Sequence, residues 1–407
     1  MRSQIGLRPA IVFLALALWG YVLGFIGLII ALPLTSLLIS YYNEFILHVP
    51  KIPSGKRKSK IDEAKMDAVI EEKVKQHLET HMDEILEEPL DEGIRKKVAN
   101  FCNVDFDCVV QSEDLPSIYE VPVAMQNQGL DEAILRKCHE PIGERPALGP
   151  WKSFLDRRAK ATEEVHIGLV GKYDLQDAYK SIREALLQAG TYNDRKTVLT
   201  FINSEEITEE NVGEMLKGQD GIVVCPGFGQ RGIEGKVIAA HYTRTHDIPT
   251  FGICLGMQMM VVEFARNVLG YADANSREMD KKTPHNVIDI MEEQKNITNM
   301  GGTMRLGAYE CVLKQGSRVF NIYKSEHIQE RHRHRYEFNN NFEKEFERNG
   351  MNCVGRNPES DLIEIVEIPG LKWYIGTQFH PEYQSTVLKP HPLFLDFVRV
   401  ASENHKA

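Results

Sequence analysis

A cysteine between two glycines is the residue of this sequence best suited to do chemistry. Gly252-Ile253-Cys254-Leu255-Gly256 has the form G-x-C-x-G and lies between an apolar stretch and a run typical of a helix. Small residues must flank a nucleophile on a sharp strand-to-helix turn. The positive end of the helix favours the thiolate, which is the form that attacks acyl groups. The pattern predicts a nucleophilic Cys254, although taken alone it fits a buried structural cysteine equally well.

A histidine and a glutamate follow another apolar stretch, two positions apart. The segment GTQFHPE contains His380 and Glu382. In extended backbone, side chains two positions apart point to the same side. His380 could then take the thiol proton while Glu382 holds the second ring nitrogen and fixes the tautomer. Together with Cys254, these residues predict a Cys-His-Glu catalytic triad.

A glycine-rich segment, PGFGQRG at residues 226–232, follows the apolar residues GIVVC. The backbone N–H groups of such a loop can turn toward a developing oxyanion. We expect the N–H groups of Gly227 and Leu255 to form an oxyanion hole, while a plain turn also fits the pattern.

These segments need a fold that brings strand ends together, and the pattern from Val165 onward predicts one. Apolar stretches typical of strands (165–171, 197–203, 221–227 and 249–253) alternate with helical patterns (177–190, 236–246 and 255–270). This alternation predicts an α/β fold, with a mostly parallel sheet and helices on both faces. In such sheets the chemistry lies at the carboxyl ends of the strands.

The first part of the chain has a different character. No charged residue occurs from Pro9 to Asn43, which predicts a membrane-spanning helix over residues 10–42, because a cleaved signal peptide has a shorter apolar core. Lysine and arginine are frequent in residues 51–60, so we expect the catalytic part to face the cytoplasm, anchored by this single helix.

The sequence predicts five segments. They are a transmembrane segment (1–50), a basic linker and amphipathic helix (51–88), a compact mixed stretch (89–140), a linker rich in proline and glycine (141–163) and the α/β domain (164–407).

Composition excludes several classes of function. A net charge of −10 without a broad basic stripe argues against nucleic-acid binding. The seven cysteines are odd in number and contain no C-x-x-C pair. We therefore expect free thiols, with no disulfide framework and no metal site.

The Cys, His-Glu and glycine-rich segments together resemble the class I, or triad, glutamine amidotransferases. Longer stretches in residues 165–400 resemble the glutaminase domain of the CTP synthase family, in that family's order: VGKYDLQDAYKSIREAL, PGFGQRGIEGK, FGICLGMQ, GGTMRLG, ERHRHRYEFN and TQFHPEYQS. The resemblance implies a flavodoxin-like class I amidotransferase fold. It also implies a set of glutamine-binding residues: Gly227, Leu255, Gly256, Met257, Gln258, Glu278 and Arg335.

Two details of these motifs lead to further predictions. The family usually has Pro-Gly-Gly-Phe-Gly where this chain has Pro226-Gly227-Phe228-Gly229 after Cys225; the second glycine is kept, so we expect a working oxyanion hole. Residues 331–334 (RHRH) are expected to form a charged loop that positions Arg335.

Residues 89–140 resemble the last part of the CTP synthase amidoligase domain, notably in RKKVANFCNV and SIYEVP. In the family the full domain binds ATP on a phosphate loop and UTP beside it, and no G-x-x-x-x-G-K-[ST] pattern occurs in this chain. We therefore expect a truncated amidoligase remnant. The resemblance implies that the complete family enzyme uses ATP and Mg²⁺, and we expect their site to be absent from this chain. It implies no cofactor for the glutaminase domain.

The segment LWGYVLGFIGLIIALPLTSLLISYY resembles the last membrane helix of an autoinducer-exporter-type permease.

Two hypotheses of different classes follow. In the first, the chain hydrolyses L-glutamine to glutamate and ammonia as the glutaminase half of a CTP synthase, with a complete CTP synthase chain or a homo-oligomer as partner. In the second, it is a catalytically idle regulatory module that associates with complete CTP synthase. A different γ-glutamyl-cleaving enzyme would share the cysteine turn but has no reason to carry GGTMRLG or RHRHRYEFN.

Overall fold

The computed structural model describes residues 91–173, 178–290 and 304–404. A nine-stranded sheet is the centre of the fold formed by residues 164–404. The strands are β1 (Glu164–Gly171), β2 (Lys196–Asn203), β3 (Gly221–Val224), β4 (Thr250–Ile253), β5 (Asn275–Ser276), β6 (Asn286–Ile290), β7 (Arg305–Leu313), β8 (His327–His334), β9 (Tyr336–Phe338), β10 (Asn352–Arg356), β11 (Ile363–Glu367) and β12 (Tyr374–Thr377). The large sheet has the order β2-β1-β3-β4-β12-β11-β10-β7-β8, and β5-β6-β9 form a small second sheet.

Parallel pairing joins β2, β1, β3, β4 and β12, and antiparallel pairing continues from β12 to β8. Seven of the nine strands therefore run in one direction, since only β11 and β7 are reversed. The predicted α/β fold with a mostly parallel sheet is confirmed, and the carboxyl ends of β3, β4 and β12 lie side by side.

Helices cover both faces of the large sheet. In chain order the helices are α1 (Glu92–Cys102), α2 (Val121–Asn127), α3 (Leu130–Lys137), α4 (Gly149–Lys160), α5 (Lys180–Tyr192), α6 (Val212–Met215), α7 (Ile233–Thr245), α8 (Leu255–Asn267), α9 (Arg318–Tyr323), α10 (Glu343–Arg348) and α11 (Pro392–Asn404). Ile167 and Leu169 of β1 pack with α5 and α11 on one face, whereas Val170 packs with α6 and α7 on the other. This alternation follows from the two-residue period of a strand buried on both sides.

Part of the predicted linker is a helix that packs on the α/β domain. Within residues 141–163, α4 buries Phe154, which is 1% exposed and lies 5.2 Å from the ring of Tyr119 and 6.0 Å from that of Tyr192. Gly149 and Pro150 stand in its first turn, where proline is tolerated because the first N–H groups of a helix have no partner within it. The proline and glycine that indicated a linker thus begin a helix.

Replacing Phe154 by alanine should lower the free energy of unfolding by about 3–5 kcal/mol, because a large buried ring is removed from a packed contact. Phe101→Ala is the matched control, since that ring is 93% exposed and its loss should change stability by less than about 0.5 kcal/mol. Denaturant unfolding of both variants measures the difference. Equal losses would show that α4 does not contribute to the core.

Residues 331–334 do not form the predicted loop. They end strand β8, along which exposed and buried residues alternate, so that Glu330, His332 and His334 are buried while Arg331 and Arg333 are exposed. The prediction was wrong because ionisable side chains are normally solvated, whereas here the buried carboxylates of Glu364 and Glu337 lie beside His332 and His334.

Several predictions concern residues that the structure does not describe. Within the described ranges, no helix is both long and apolar enough to cross a membrane. The membrane segment at 10–42, the linker and helix at 51–88 and residues 301–303 of GGTMRLG lie outside the described residues, so these predictions stay predictions.

Candidate active site

The three segments singled out in the sequence meet at one edge of the sheet. Parallel pairing aligns Ile253 at the end of β4 with Thr377 at the end of β12. It also aligns Gly252 with Val224 at the end of β3. The residues that follow these strands are therefore neighbours, with Cys254 in the middle.

Cys254 occupies a sharp turn between β4 and α8. Its backbone has φ 53° and ψ −106°, a conformation rarely taken by a residue with a side chain. Its N–H donates to the carbonyl of Thr377 at 2.7 Å, which ties the turn to β12. Side chains at the flanking glycines would collide, at Gly252 with α8 and at Gly256 with the carbonyl of Val224. The G-x-C-x-G spacing thus follows from close backbone packing.

His380 lies between the thiol and a carboxylate. Its Nδ1 is 2.7 Å from Oε1 of Glu382, and both side chains are buried. Burial alone would lower the pKa of His380, but the interactions of its ring with the thiol of Cys254 and with Glu382 raise this pKa to about 11. The arrangement therefore favours a charged imidazolium beside the sulfur.

Two glutamines lie beside Cys254. Gln378 Nε2 donates to the sulfur of Cys254 at 3.7 Å, and its Oε1 accepts from Gln258 Nε2 at 3.2 Å. Gln258 also donates to the carbonyl of Tyr336 at 2.9 Å. The sequence motifs contain Gln378, but no role was predicted for it, because its contact with Cys254 depends on the pairing of β4 with β12.

A cavity of about 340 Å³ opens beside the sulfur. Its lining includes Cys254 and five of the predicted glutamine-binding residues, and its full lining is Gly227, Phe228, Cys254, Leu255, Gln258, Glu278, Met304, Arg333, His334, Arg335 and Tyr336. Both signs of charge face it, a carboxylate from Glu278 and a guanidinium from Arg335. Such a cavity suits an α-amino acid, which carries one ammonium and one carboxylate group.

Two predicted glutamine-binding residues do not line the cavity. Gly256 packs against the carbonyl of Val224, and the side chain of Met257 packs near Gly376 of β12. Conversely, Phe228, Met304, Arg333, His334 and Tyr336 line the cavity without having been predicted. All five stand in motifs quoted from the sequence, but only the fold shows that they line one cavity.

Lysine side chains fix the loop after β3. Lys172 donates to the carbonyls of Phe228 and Gly229, and Lys236 donates to the carbonyl of Cys225 at 2.5 Å. Glu278 accepts from the N–H of Gly229 at 2.9 Å. With these carbonyls held on one side, the loop can present N–H groups on the other, next to the first N–H of α8 at Leu255.

The fully buried Lys236 should make stability depend on pH. Burial lowers its pKa from 10.5 to about 8, so between these values the unfolded chain binds a proton that the folded chain does not. The contribution of Lys236 to stability should therefore rise with pH across this window, by about 3 kcal/mol for the full difference, whereas the raised pKa of His380 acts in the opposite direction. Unfolding free energies at pH 8 and pH 10, compared between the wild-type and Lys236→Met chains, isolate the contribution of Lys236.

Lys236→Met should lose this rise, while the same change at the exposed Lys217 should keep it. A Lys236→Met chain with an unchanged slope would contradict the assignment.

Comparison with known protein families agrees with this geometry. The family model described as glutamine amidotransferase class-I matches residues 174–400. The model described as CTP synthase N-terminus matches residues 35–139; this range contains most of the predicted amidoligase remnant and begins within the segment predicted to cross a membrane.

Individual relatives are CTP synthases. That of Bacteroides thetaiotaomicron is 70% identical over 319 residues, which are 78% of this chain and 59% of the relative. That of Flavobacterium johnsoniae is 47% identical over 369 residues, covering 89% of this chain and 68% of the relative. This chain thus spans little more than half the length of the Bacteroides protein.

Among solved structures, the glutaminase domain of Trypanosoma brucei CTPS, which has acivicin bound, is similar to this chain. Sequence identity is 37% and the TM-score is 0.56; the match covers 59% of this chain and 94% of that domain.

Proposed function

Since this chain belongs to the CTP synthase family and carries its class-I glutamine amidotransferase domain, we propose that it hydrolyses glutamine to glutamate and ammonia at Cys254. The observation that carries the proposal is the thiol at a strained strand-to-helix turn, in contact with the His380–Glu382 pair and facing a cavity whose lining includes Glu278 and Arg335.

The reaction follows from these positions. The thiolate of Cys254 attacks the side-chain amide carbon of glutamine, and the electron pair of the C=O bond moves to oxygen. The N–H groups of Gly227 and Leu255 would stabilise this oxyanion. His380 gives its proton to the amide nitrogen as the C–N bond breaks, and ammonia leaves.

The resulting γ-glutamyl thioester is then cleaved by water. His380, now neutral and held by Glu382, takes a proton from the attacking water. A second oxyanion forms in the same position, the C–S bond breaks and glutamate leaves. The thiolate and the imidazolium are restored.

Glutamine recognition is proposed to use Glu278 and Arg335 of the cavity lining. Arg335 can pair with the α-carboxylate of glutamine in a bidentate fork, and Glu278 can accept from its α-ammonium group. Hydrolysis of glutamine is the activity proposed for this chain by itself. CTP formation from UTP would require a partner that supplies the ATP and UTP sites, such as a complete CTP synthase chain. Further copies of this chain are the other proposed partner.

ATP and Mg²⁺ stay expectations that come from the family resemblance. Among the described residues, Asp105, Asp107 and Cys108 make up the cluster that could hold a metal ion. Its two carboxylates are already paired with Lys137 and Arg136. No step of the proposed reaction passes through either group.

Affinity labelling tests the proposal. A glutamine analogue with an electrophilic carbon in place of the amide should alkylate Cys254, and excess glutamine should protect it. The other cysteines are internal controls, because Cys102 and Cys138 are exposed but lie outside the cavity. Peptide mass spectrometry identifies the labelled sulfur. Labelling of the exposed thiols alone, unaffected by glutamine, would overturn the proposal.

The alternative of an idle regulatory module gives a different outcome. The chain spans 59% of the Bacteroides relative, and a glutaminase separated from the rest of its enzyme could be inactive. Co-purification with a complete CTP synthase, together with an unlabelled Cys254, would favour this function.

A further inference from the structure

Strand β8 carries a buried carboxylate, that of Glu330, which the proposed reaction does not use. The residue is 2% exposed. A carboxylate is costly to bury unless hydrogen-bond donors surround it, so its partners show what its position serves. Three side chains from separate parts of the chain donate to it, those of Tyr323, Gln384 and His391.

Both oxygens of this carboxylate accept hydrogen bonds. The Tyr323 hydroxyl donates to Oε1 at 2.8 Å, and His391 Nε2 lies 2.9 Å from the same oxygen. The N–H of Leu393 donates to His391 Nδ1 at 3.3 Å, so Nε2 is the nitrogen that carries the proton and donates to Glu330. The second oxygen, Oε2, accepts from Gln384 Nε2 at 2.8 Å. An amide in this position would offer one acceptor oxygen in place of two.

The bond from Gln384 connects this carboxylate to the triad. His380 is followed by a single turn of 3₁₀-helix, Pro381–Gln384, and this turn contains Glu382. The segment 380–384 therefore carries both the imidazole and the carboxylate of the triad, and Gln384 is its last residue.

Three successive residues of β8 hold the two ends of this segment. At its start, the N–H of His380 donates to the carbonyl of Arg331 at 2.8 Å. At its end, Gln384 Nε2 donates to the carbonyl of Gln329 at 2.6 Å and also to Glu330. The segment is thus fixed along β8, and Glu330 supplies the side chain of this contact.

A second set of hydrogen bonds holds the residue that follows the segment. The hydroxyl of Ser385 accepts from the N–H of His391 at 3.2 Å and donates to Gln188 of α5 at 3.0 Å. His391 in turn donates to Glu330. Glu330 therefore acts on the end of the segment directly through Gln384 and indirectly through His391 and Ser385.

The position of the segment matters for the proposed reaction. His380 must reach the sulfur of Cys254 while Glu382 stays at its Nδ1, at the observed 2.7 Å. A displacement of about 1 Å in a reacting group can cost about 10²-fold in rate. Glu330 does not line the cavity, so its influence on the reaction must pass through this segment.

We propose that Glu330 is a positioning residue of the triad, which holds the segment 380–384 against β8 through Gln384. His380 and Glu382 thereby stay aligned with Cys254. The inference rests on the proposed glutaminase function, because it adds a residue to the same site. It places the effect of Glu330 on the chemical step and not on the binding of glutamine.

Steady-state kinetics of glutamate release separate this role from a merely structural one. Gln384→Ala removes the donor to Glu330 at a residue that is itself exposed, and Glu330→Gln removes one of the two acceptor oxygens. Each change should lower kcat about tenfold and leave KM within about twofold. Gln315→Ala is the matched control, since Gln315 donates to Glu326 in an exposed pair away from the cavity. It should change neither constant.

The double variant tests whether Glu330 acts through Gln384. In a Gln384→Ala chain the direct contact is already lost, so adding Glu330→Gln should lower kcat by less than about twofold more. Losses that multiply to about 10²-fold would show that the two residues act independently, and this result would overturn the inference.

Hydrogen exchange measured by mass spectrometry tests the contact without any activity. In Gln384→Ala and Glu330→Gln chains, the peptide that covers residues 378–386 should exchange about tenfold faster than in the wild-type and Gln315→Ala chains. If Glu330→Gln does not fold, Gln384→Ala decides the matter. A Gln384→Ala chain with the wild-type kcat, or with the wild-type exchange rate, would overturn the inference while the proposed function stands. A wild-type chain that releases no glutamate would instead refute the proposed function, and the positioning role with it.

Discussion

Replacing Cys254 by alanine should reduce the rate of glutamate release by about 10⁴-fold or more, because alanine has no atom that can form the thioester. The remaining cavity and N–H groups cannot replace a covalent intermediate. The measurement is glutamate formed per chain under saturating glutamine. Binding of glutamine should persist, because Glu278 and Arg335 are unchanged.

Cys353→Ala is the matched control for this variant. Cys353 is also a buried thiol, on β10 and packed in the apolar cluster beside α10, and its loss should leave the rate within about twofold. Equal rates of glutamate release from the wild-type and Cys254→Ala chains would end the proposed function.

Replacing Glu382 by glutamine should reduce glutamate release by about 10³-fold, because the amide cannot stabilise the imidazolium and can reverse the tautomer of His380. Glu382 is one of the groups that raise the pKa of His380, so its loss should lower that pKa. The rate should therefore begin to fall at a lower pH in the variant than in the wild-type chain. A pH profile of glutamate release for both chains measures this shift.

Glu343→Gln is a suitable control, because Glu343 is paired with Arg356 away from the cavity. A Glu382→Gln chain with the wild-type rate and pH profile would show that the carboxylate is not part of the reaction.

The fold and the chemical groups were predictable from the sequence to different degrees. Apart from the short helix α6, which was not predicted, the strands and helices from Glu164 to Asn267 follow from the alternation of apolar and amphipathic stretches, and their observed bounds lie within a few residues of those predicted. The flanking glycines of Cys254 carry a clear signal, since any larger residue would collide with β3 or α8. Local patterns of this kind are visible without knowledge of the partner.

Contacts across the sheet were not predictable in the same way. Gln378 contacts Cys254 only because β12 pairs with β4 in a particular register. His332 was predicted in a charged loop, because nothing local in RHRH indicates that Glu364 lies beside it. The helix around Phe154 was not predicted, because the proline and glycine that begin it indicated a linker. In each case a residue distant in the sequence decides the structure.

Trapping the covalent intermediate tests the central claim most directly. The full chain is mixed with glutamine, quenched in acid within one turnover, digested and analysed by mass spectrometry. We expect one γ-glutamyl group on the peptide that contains Cys254, at a higher level in Glu382→Gln, if slowed hydrolysis lets the thioester accumulate. Glutamate release with no glutamyl group on residue 254 under any quench time, or with the group on another cysteine, would contradict the account.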